Sequence, residues 1–150
     1  MRTFHFRLES VLEVRRHQED MQKQVLSQKL NQLDLSQRQL QELFGKRQQH
    51  FARIRELQMG QLNIRELEVS GDYVLVLEEE IANQELKVRF CEEQVELARA
   101  ELLEIVKARK ILEKLKEKHY EEYHLEALRE DQKLIDEMAG VAFYRQDNDS

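Results

Sequence analysis

The sequence has 150 residues with no proline, four glycines and one cysteine, and 36% of its residues are Asp, Glu, Lys or Arg. Few helix breakers and many long charged side chains favour helix, while 41% hydrophobic residues is too many for a disordered chain. The length fits one domain. The single cysteine, Cys91, excludes an internal disulfide and a cysteine-rich metal site.

The charge is unevenly distributed. Residues 1–60 contain 11 Lys or Arg and 7 Asp or Glu, whereas residues 61–150 contain 13 and 23, so the two parts carry +4 and −10. Opposite charges favour a chain folded back on itself, with a basic arm along an acidic arm. The acidic total and a pI near 5.5 argue against a nucleic-acid surface, despite short basic stretches at 53–55 and 107–110.

The opening segment FHFRLESVLEVRRHQED, residues 4–20, lacks the run of about 7–15 apolar residues that a signal peptide needs. Arg7, Glu9 and Glu13 interrupt it. No window approaches the roughly 18 apolar residues of a membrane span. We therefore expect a soluble, cytoplasmic protein.

In the first arm, apolar residues recur at alternating steps of four and three, which is the heptad pattern of a coiled coil. This pattern predicts a first helix over about residues 4–58. The predicted seam consists of Leu26, Leu30, Leu33, Leu40, Phe44, Phe51 and Ile54, interrupted by Gln37 and Arg47.

The pattern fails over about residues 59–72, which we predict to be a connection. Gly60 and Gly71 bracket this region, and glycine is the main helix-breaking residue in a chain without proline. Ser70 or Asp72 is the predicted N-cap of the helix that follows.

The second arm has a cleaner seam, which predicts a helix over about residues 73–140, ending near Gly140 before a frayed tail at 141–150. Its members are Val74, Leu77, Ile81, Val88, Cys91, Val95, Ala98, Leu102, Ile105 and Leu112, with Gln84 and Arg109 as polar members; further on the pattern shifts to Leu125, Leu128, Ile135 and Met138. Two such arms predict an all-α fold, a long two-helix antiparallel coiled-coil hairpin with both termini at one end.

No pattern indicates catalysis or a cofactor. There is no phosphate-binding glycine loop and no nucleophile elbow. The glutamates at 78–80 suit a solvated helix start. His119 and His124 are five residues apart, whereas the helical metal-binding spacing is four. We expect no catalytic, cofactor-binding or metal site.

Aromatic residues stand out in this polar chain and indicate a surface for protein partners. Phe4, Phe6, Phe143 and Tyr144 are expected at the end where the termini meet, either as a hydrophobic cap or as a docking site. Nearer the tip, core packing is the favoured interpretation for Phe44, Phe51, Tyr73 and Leu77.

Three segments resemble the flagellar export protein FliJ family: residues 4–20, ARKILEKLKEKHYEEY at 108–123 and DQKLIDEMAGVAFYR at 131–145. Family members typically begin with Phe-x-Phe-Arg-Leu-Glu-x-Val-Leu, here Phe4 to Leu12. They close with Gln-Lys-x-x-Asp-Glu, here Gln132 to Glu137. The central region matches only in its heptad pattern, which any coiled coil shares.

The resemblance implies a non-enzymatic stalk and general chaperone of the bacterial type III export apparatus. It implies binding to the hexameric export ATPase FliI and to the export gate protein FlhA, with the ATPase regulator FliH and export chaperones as further partners. It also implies a cytoplasmic protein associated peripherally with the inner membrane at the flagellar base.

The resemblance further implies the partner-binding residues of the ATPase end, whereas the gate-facing residues are our own assignment, because no family motif covers them. The ATPase end would contain Phe4, Phe6, Arg7, Leu8, Leu12, Arg15, Asp136 and Glu137. The gate-facing region would contain Phe44, Phe51, Tyr73, Leu77 and Gln84. The sequence leaves two alternatives open: the equivalent stalk of a virulence-type secretion system, and a generic coiled-coil scaffold.

Overall fold

The computed structural model describes residues 3–60 and 63–148. It contains helix α1, Glu9–Met59, and helix α2, Ile64–Asn148, with 51 and 85 residues. The two helices pack against each other, so the predicted all-α hairpin is confirmed. Long helices are expected here because the chain lacks the proline that would remove a backbone donor and break them.

The chain forms two compact units. In the terminal unit, residues up to Gln18 pack with residues from Ile105 onward; the middle unit is Glu19–Glu104. Within the terminal unit, the ammonium group of Lys116 lies 2.7 Å from the carboxylate of Glu9, which joins the start of α1 to the later part of α2. This pairing has the antiparallel order of a hairpin.

The middle unit has the same antiparallel order. The side-chain amide of Gln22 donates to the carbonyl oxygen of Ala98 at 3.1 Å. Further along α1, Ser36 lies opposite Gln84, whose amide donates to the Ser36 carbonyl oxygen at 3.0 Å. The α2 partner number falls as the α1 number rises, so the helices run in opposite directions.

The seam of α2 is confirmed from Val74 to Leu112, but its predicted continuation is wrong, because Leu125, Leu128, Ile135 and Met138 are exposed. Its buried residues repeat at alternating spacings of three and four, and Gln84 is its buried polar member. Cys91 is half-buried in the same stripe, which agrees with its interpretation as a small packing residue. The buried members are Val74, Leu77, Ile81, Gln84, Val88, Val95 and Ala98.

The seam of α1 differs from the prediction at Leu30, Gln37 and Phe51, which are exposed, whereas Phe44 is half-buried as predicted. Leu30 and Phe51 are 38% and 37% exposed, and the residues one position earlier face α2 instead. Ser36 is buried, and Lys29 and His50 are half-buried. At Ser36 the buried amide of Gln84 has its hydrogen-bond acceptors, so the polar pair is satisfied within the seam.

Helix α2 begins earlier than predicted. The side-chain oxygen of Asn63 accepts a hydrogen bond from the backbone N–H of Glu66 at 3.4 Å, and its carbonyl oxygen accepts one from Leu67 at 3.1 Å. Asn63 is therefore the N-cap, in place of the predicted Ser70 or Asp72, which lie inside the helix.

The other boundaries also differ. Residues 3–8 precede α1 without helical structure, and Glu9 donates its backbone N–H to the carbonyl oxygen of Phe6 in a turn at 3.1 Å. Gly71 and Gly140 both lie within α2, which continues to Asn148. The predicted tail is thus helical through residue 148, and residues 149–150 lie outside the described residues.

Buried and exposed leucines on α2 give a matched test of the seam. Leu77 is 1% exposed and Leu75, two residues earlier, is 65% exposed. We expect Leu77→Ala to lower the free energy of unfolding by about 2–5 kcal/mol, because it leaves a cavity. Leu75→Ala should change it by less than about 0.5 kcal/mol. Urea unfolding followed by circular dichroism measures both, and equal effects would contradict the seam assignment.

Candidate partner-binding sites

Aromatic rings anchor the N-terminal segment in the terminal unit. The ring of Phe6 is buried and lies edge-on to His119, with centroids 5.8 Å apart. The ring of Phe4 is half-buried, 5.3 Å from Tyr120 and 5.5 Å from Tyr123. We call these five residues the aromatic cap. Edge-to-face aromatic pairs stabilise beyond their buried area, so the cap fixes residues 3–8 on α2.

The aromatic cap contains other residues than the sequence predicted. Phe4 and Phe6 do pack as a hydrophobic cap, but their partners are Tyr120 and Tyr123 for Phe4 and His119 for Phe6. Phe143 and Tyr144 are exposed. They lie some twenty residues further along α2 than the residues that Phe4 contacts. The sequence analysis had placed Phe143 and Tyr144 at the same end as Phe4 and Phe6.

The residues expected at the ATPase end have different environments in the structure. Leu12 is fully buried and Leu8 is half-buried. Arg7 and Arg15 are exposed, and the Arg15 guanidinium donates to the side-chain oxygen of neighbouring Gln18 at 3.1 Å. The apolar members therefore hold the terminal unit together, and the two arginines present charge to solvent.

A charged cluster lies beside the aromatic cap. The guanidinium of Arg109 donates to the carboxylate of Glu113 at 2.8 Å, and the guanidinium of Arg16 lies 3.5 Å from the same group. The hydrogen bond from Arg109, with the positive charges of both arginines, holds the pKa of Glu113 below its usual range, although desolvation of the carboxylate opposes this shift. This cluster links α1 to α2 in the terminal unit.

The last part of α2 carries an unpartnered face. Every residue from Leu128 to Asn148 is exposed. Helical spacing places several large apolar residues on one side of this segment. We call this side the C-terminal face, and it consists of Leu128, Leu134, Ile135, Met138 and Val141.

The predicted acidic residues Asp136 and Glu137 lie on the same segment and are exposed. Asp136 accepts a hydrogen bond from the side-chain amide of Gln132 at 3.1 Å. Glu137 lines a shallow groove together with Leu134 and Met138. The sequence analysis selected only the carboxylates as binding residues here and assigned Leu128, Ile135 and Met138 to the helix seam, whereas these three residues are exposed.

The predicted gate-facing residues are divided between the seam and the surface of the middle unit. Leu77 and Gln84 are buried between the helices, so this conformation offers neither side chain to a partner. Core packing is confirmed for Leu77. It is wrong for Tyr73 and Phe51, which are both exposed because they lie beside the seam.

The aromatic residues near the connection contact polar residues of α1. The ring of Tyr73 lies 4.4 Å from the imidazole of His50, and the guanidinium of Arg47 lies 5.1 Å from the half-buried ring of Phe44. Among the described residues, the Nε atom of Arg47 and the Nδ1 atom of His50 are buried without a hydrogen-bond partner. Unpaired buried polar atoms are costly, so this part of the seam is weakly stabilised.

The described residues show neither a metal cluster nor a membrane span. In 3–60 and 63–148, no three His, Cys, Asp or Glu side chains come together to hold a metal ion. Neither helix, over the same residues, is apolar enough for long enough to cross a bilayer.

The fold and these surfaces define a coiled-coil hairpin with exposed apolar, aromatic and charged patches. Residues 4–148 match the family of flagellar FliJ proteins, and the chain belongs to that family. Membership makes it a non-enzymatic component of the flagellar export apparatus. Comparison with curated proteins and with solved structures gave no match.

The lowered pKa of Glu113 predicts a pH-dependent contribution to stability. Because the pKa is lower in the folded chain, the ionised carboxylate stabilises the fold above the unfolded pKa, and this contribution is lost as the pH falls through the folded pKa. We expect Glu113→Gln to lower the urea midpoint at neutral pH and to have little effect in strong acid. The matched control is Glu126→Gln, at an exposed position on the same helix. A pH-independent effect of Glu113→Gln would contradict the prediction.

Proposed function

We propose that the chain is a stalk and coupling component of flagellar export. In this proposal it binds the hexameric export ATPase FliI through its terminal unit and promotes the assembly and activity of the ATPase ring. It links that ring to the gate protein FlhA, with FliH and export chaperones as further partners. It is cytoplasmic and reaches the inner membrane at the flagellar base only through these partners.

The observation that carries the proposal is the C-terminal face. From Leu128 onward α2 is a single helix whose apolar side is left uncovered within the terminal unit. A lone helix is about 10–12 Å across with its side chains, narrow enough for the opening of a protein ring. Exposed apolar patches of this kind mark protein interaction sites.

Exposed charges suit a contact that is made and broken repeatedly. Arg7, Arg15, Asp136 and Glu137 are all exposed in the terminal unit. Salt screens interactions between such charges, and rim charges of this type influence association rate more than they influence affinity. A stalk that contacts successive subunits of an ATPase ring requires contacts of this kind.

The aromatic residues beside the connection support the proposed gate contact. Tyr73 and Phe51 are exposed, and Tyr73 lies against His50, where the seam is weakly stabilised. Aromatic side chains are enriched at binding hot spots. The proposal therefore assigns the gate contact to Tyr73, Phe51 and Phe44, with Leu77 and Gln84 as supports beneath them.

The family match favours the flagellar system over a virulence-type system. A generic scaffold would pair its seam with another coiled coil. In the middle unit, however, the apolar seam of α2 is already covered by α1 of the same chain. This internal pairing supports a stalk that acts as a monomer.

ATP hydrolysis by purified export ATPase tests the proposed ATPase contact. The double variant Ile135→Ser/Met138→Ser should abolish the stimulation that the wild-type chain produces, because it removes apolar contacts without disturbing the packed part of the terminal unit. The matched control is Leu35→Ser, at an exposed position of α1 in the middle unit, which should stimulate normally.

Circular dichroism of each variant confirms that the helices are retained. Full stimulation by the double variant would exclude the C-terminal face, and no stimulation by the wild-type chain would overturn the coupling proposal. Phe6→Ala is less informative, since it removes buried packing of the aromatic cap.

Binding to the purified soluble domain of FlhA tests the gate contact. Tyr73→Ala should weaken binding by about tenfold or more, as expected for an aromatic hot spot. Tyr144→Ala, at an exposed tyrosine of the terminal unit, is the control and should bind as the wild-type chain does. Isothermal titration calorimetry measures both affinities, and equal losses in the two variants would contradict the assignment.

A further inference from the structure

Helix α2 carries a second apolar stripe in the middle unit. Leu86, Phe90 and Leu97 are 61%, 60% and 57% exposed and follow one another at spacings of four and seven residues. This spacing places them on one face of the helix. We call these three residues the outer stripe.

The outer stripe points away from the hairpin seam. Val88 and Val95 are buried against α1. Each lies two residues from a member of the stripe, which is about 200° around a helix with 3.6 residues per turn. The hairpin therefore leaves the outer stripe uncovered, and the packing of α1 on α2 does not account for it.

The outer stripe has acidic surroundings. Residues 75–104 contain nine Asp or Glu and three Lys or Arg, a net charge of −6. Glu93 is exposed on the same face, three residues after Phe90 and four before Leu97. Arg89, Glu92, Glu93 and Glu96 line a shallow groove together with Leu97.

This charge decides which partner fits the outer stripe. Pairing with the same stripe of a second copy would bring two segments of net charge −6 together, and like charges across an interface cost several kcal/mol. A basic helix instead gains favourable pairs with the same carboxylates. An amphipathic helix can at the same time place its apolar side chains on the three exposed residues.

We propose that the outer stripe is a docking site for a basic amphipathic helix of another protein. The apolar face of that helix contacts Leu86, Phe90 and Leu97. A Lys or Arg between its apolar residues pairs with Glu93. The site is on a different face from the seam and does not depend on the ATPase or gate contacts proposed above.

The probe is a fluorescent synthetic peptide of about 18 residues, five helical turns, with leucines at heptad positions and lysines and arginines elsewhere. Its binding to the full chain is followed by fluorescence anisotropy. Phe90→Ser/Leu97→Ser should weaken binding by about tenfold or more, as for loss of interface anchors. Leu35→Ser changes an equally exposed residue of α1, 57%, and should leave binding unchanged.

Two further measurements test the role of charge. Glu93→Gln should weaken binding and reduce its dependence on salt. A second peptide with the same leucines, and glutamates in place of the basic residues, should not bind. Equal binding of the two peptides would overturn the proposed chemistry of the partner.

Three results would reject the site itself. They are no binding of the basic peptide to the wild-type chain, binding that the Phe90→Ser/Leu97→Ser variant retains, and a concentration-dependent dimer that the same variant abolishes. Sedimentation equilibrium detects the dimer, which would assign the outer stripe to a second copy of the chain.

Discussion

One buried amide determines which face of α1 meets α2 in the middle unit. Gln84 lies in an otherwise apolar seam, and its side-chain nitrogen donates to the carbonyl oxygen of Ser36 at 3.0 Å. A buried donor without a partner is far more costly than a made hydrogen bond is stabilising. Sliding or rotating α1 by one residue would break this bond, so the pair excludes the neighbouring registers. Single polar residues in coiled-coil seams generally specify the register in this way.

The two helices contribute unequally to the hairpin. In the middle unit, the buried residues of α2 are apolar except for Gln84, whereas those of α1 are Glu19 and Ser36. The apolar seam residues of α2 are therefore covered by residues of α1 that are partly polar. The hydrophobic contribution to stability comes mainly from burying these α2 side chains. Such a seam is specific in register but modest in stability. It is weakest near Arg47 and His50, where buried polar atoms lack partners.

This difference between the two seams explains why the sequence predicted the seam of α2 better than the seam of α1. The α2 seam was predictable residue by residue because its apolar repeat is nearly uninterrupted. In α1 the residues that face α2 include Lys29, Ser36 and His50, and apolar residues such as Leu30 lie beside them at the edge. Periodicity of hydrophobic residues alone then misses polar seam residues such as Ser36, which is held there by a hydrogen bond between the helices.

The helix boundaries and the candidate sites were predictable to different extents. Gly71 suggested a connection, but Asn63 caps the helix earlier, and a glycine inside a long helix is tolerated. The motifs at the two ends of the chain identified the family. Of their charged residues, Arg7, Asp136 and Glu137 are exposed, whereas Glu9 is half-buried. The sequence could not show that Phe4 packs on Tyr120, because heptad spacing does not specify where a non-helical segment folds back.

The proposed sites share one physical origin. Helix α2 has 85 residues and α1 has 51, so α1 cannot cover all of α2. From Leu128 onward the apolar residues of α2 have no helix beside them, and in the middle unit the outer stripe lies on the side that α1 does not reach. Neither surface is buried by the folding of this chain. Apolar side chains that folding leaves exposed reduce solubility unless another protein covers them, which is why they indicate binding.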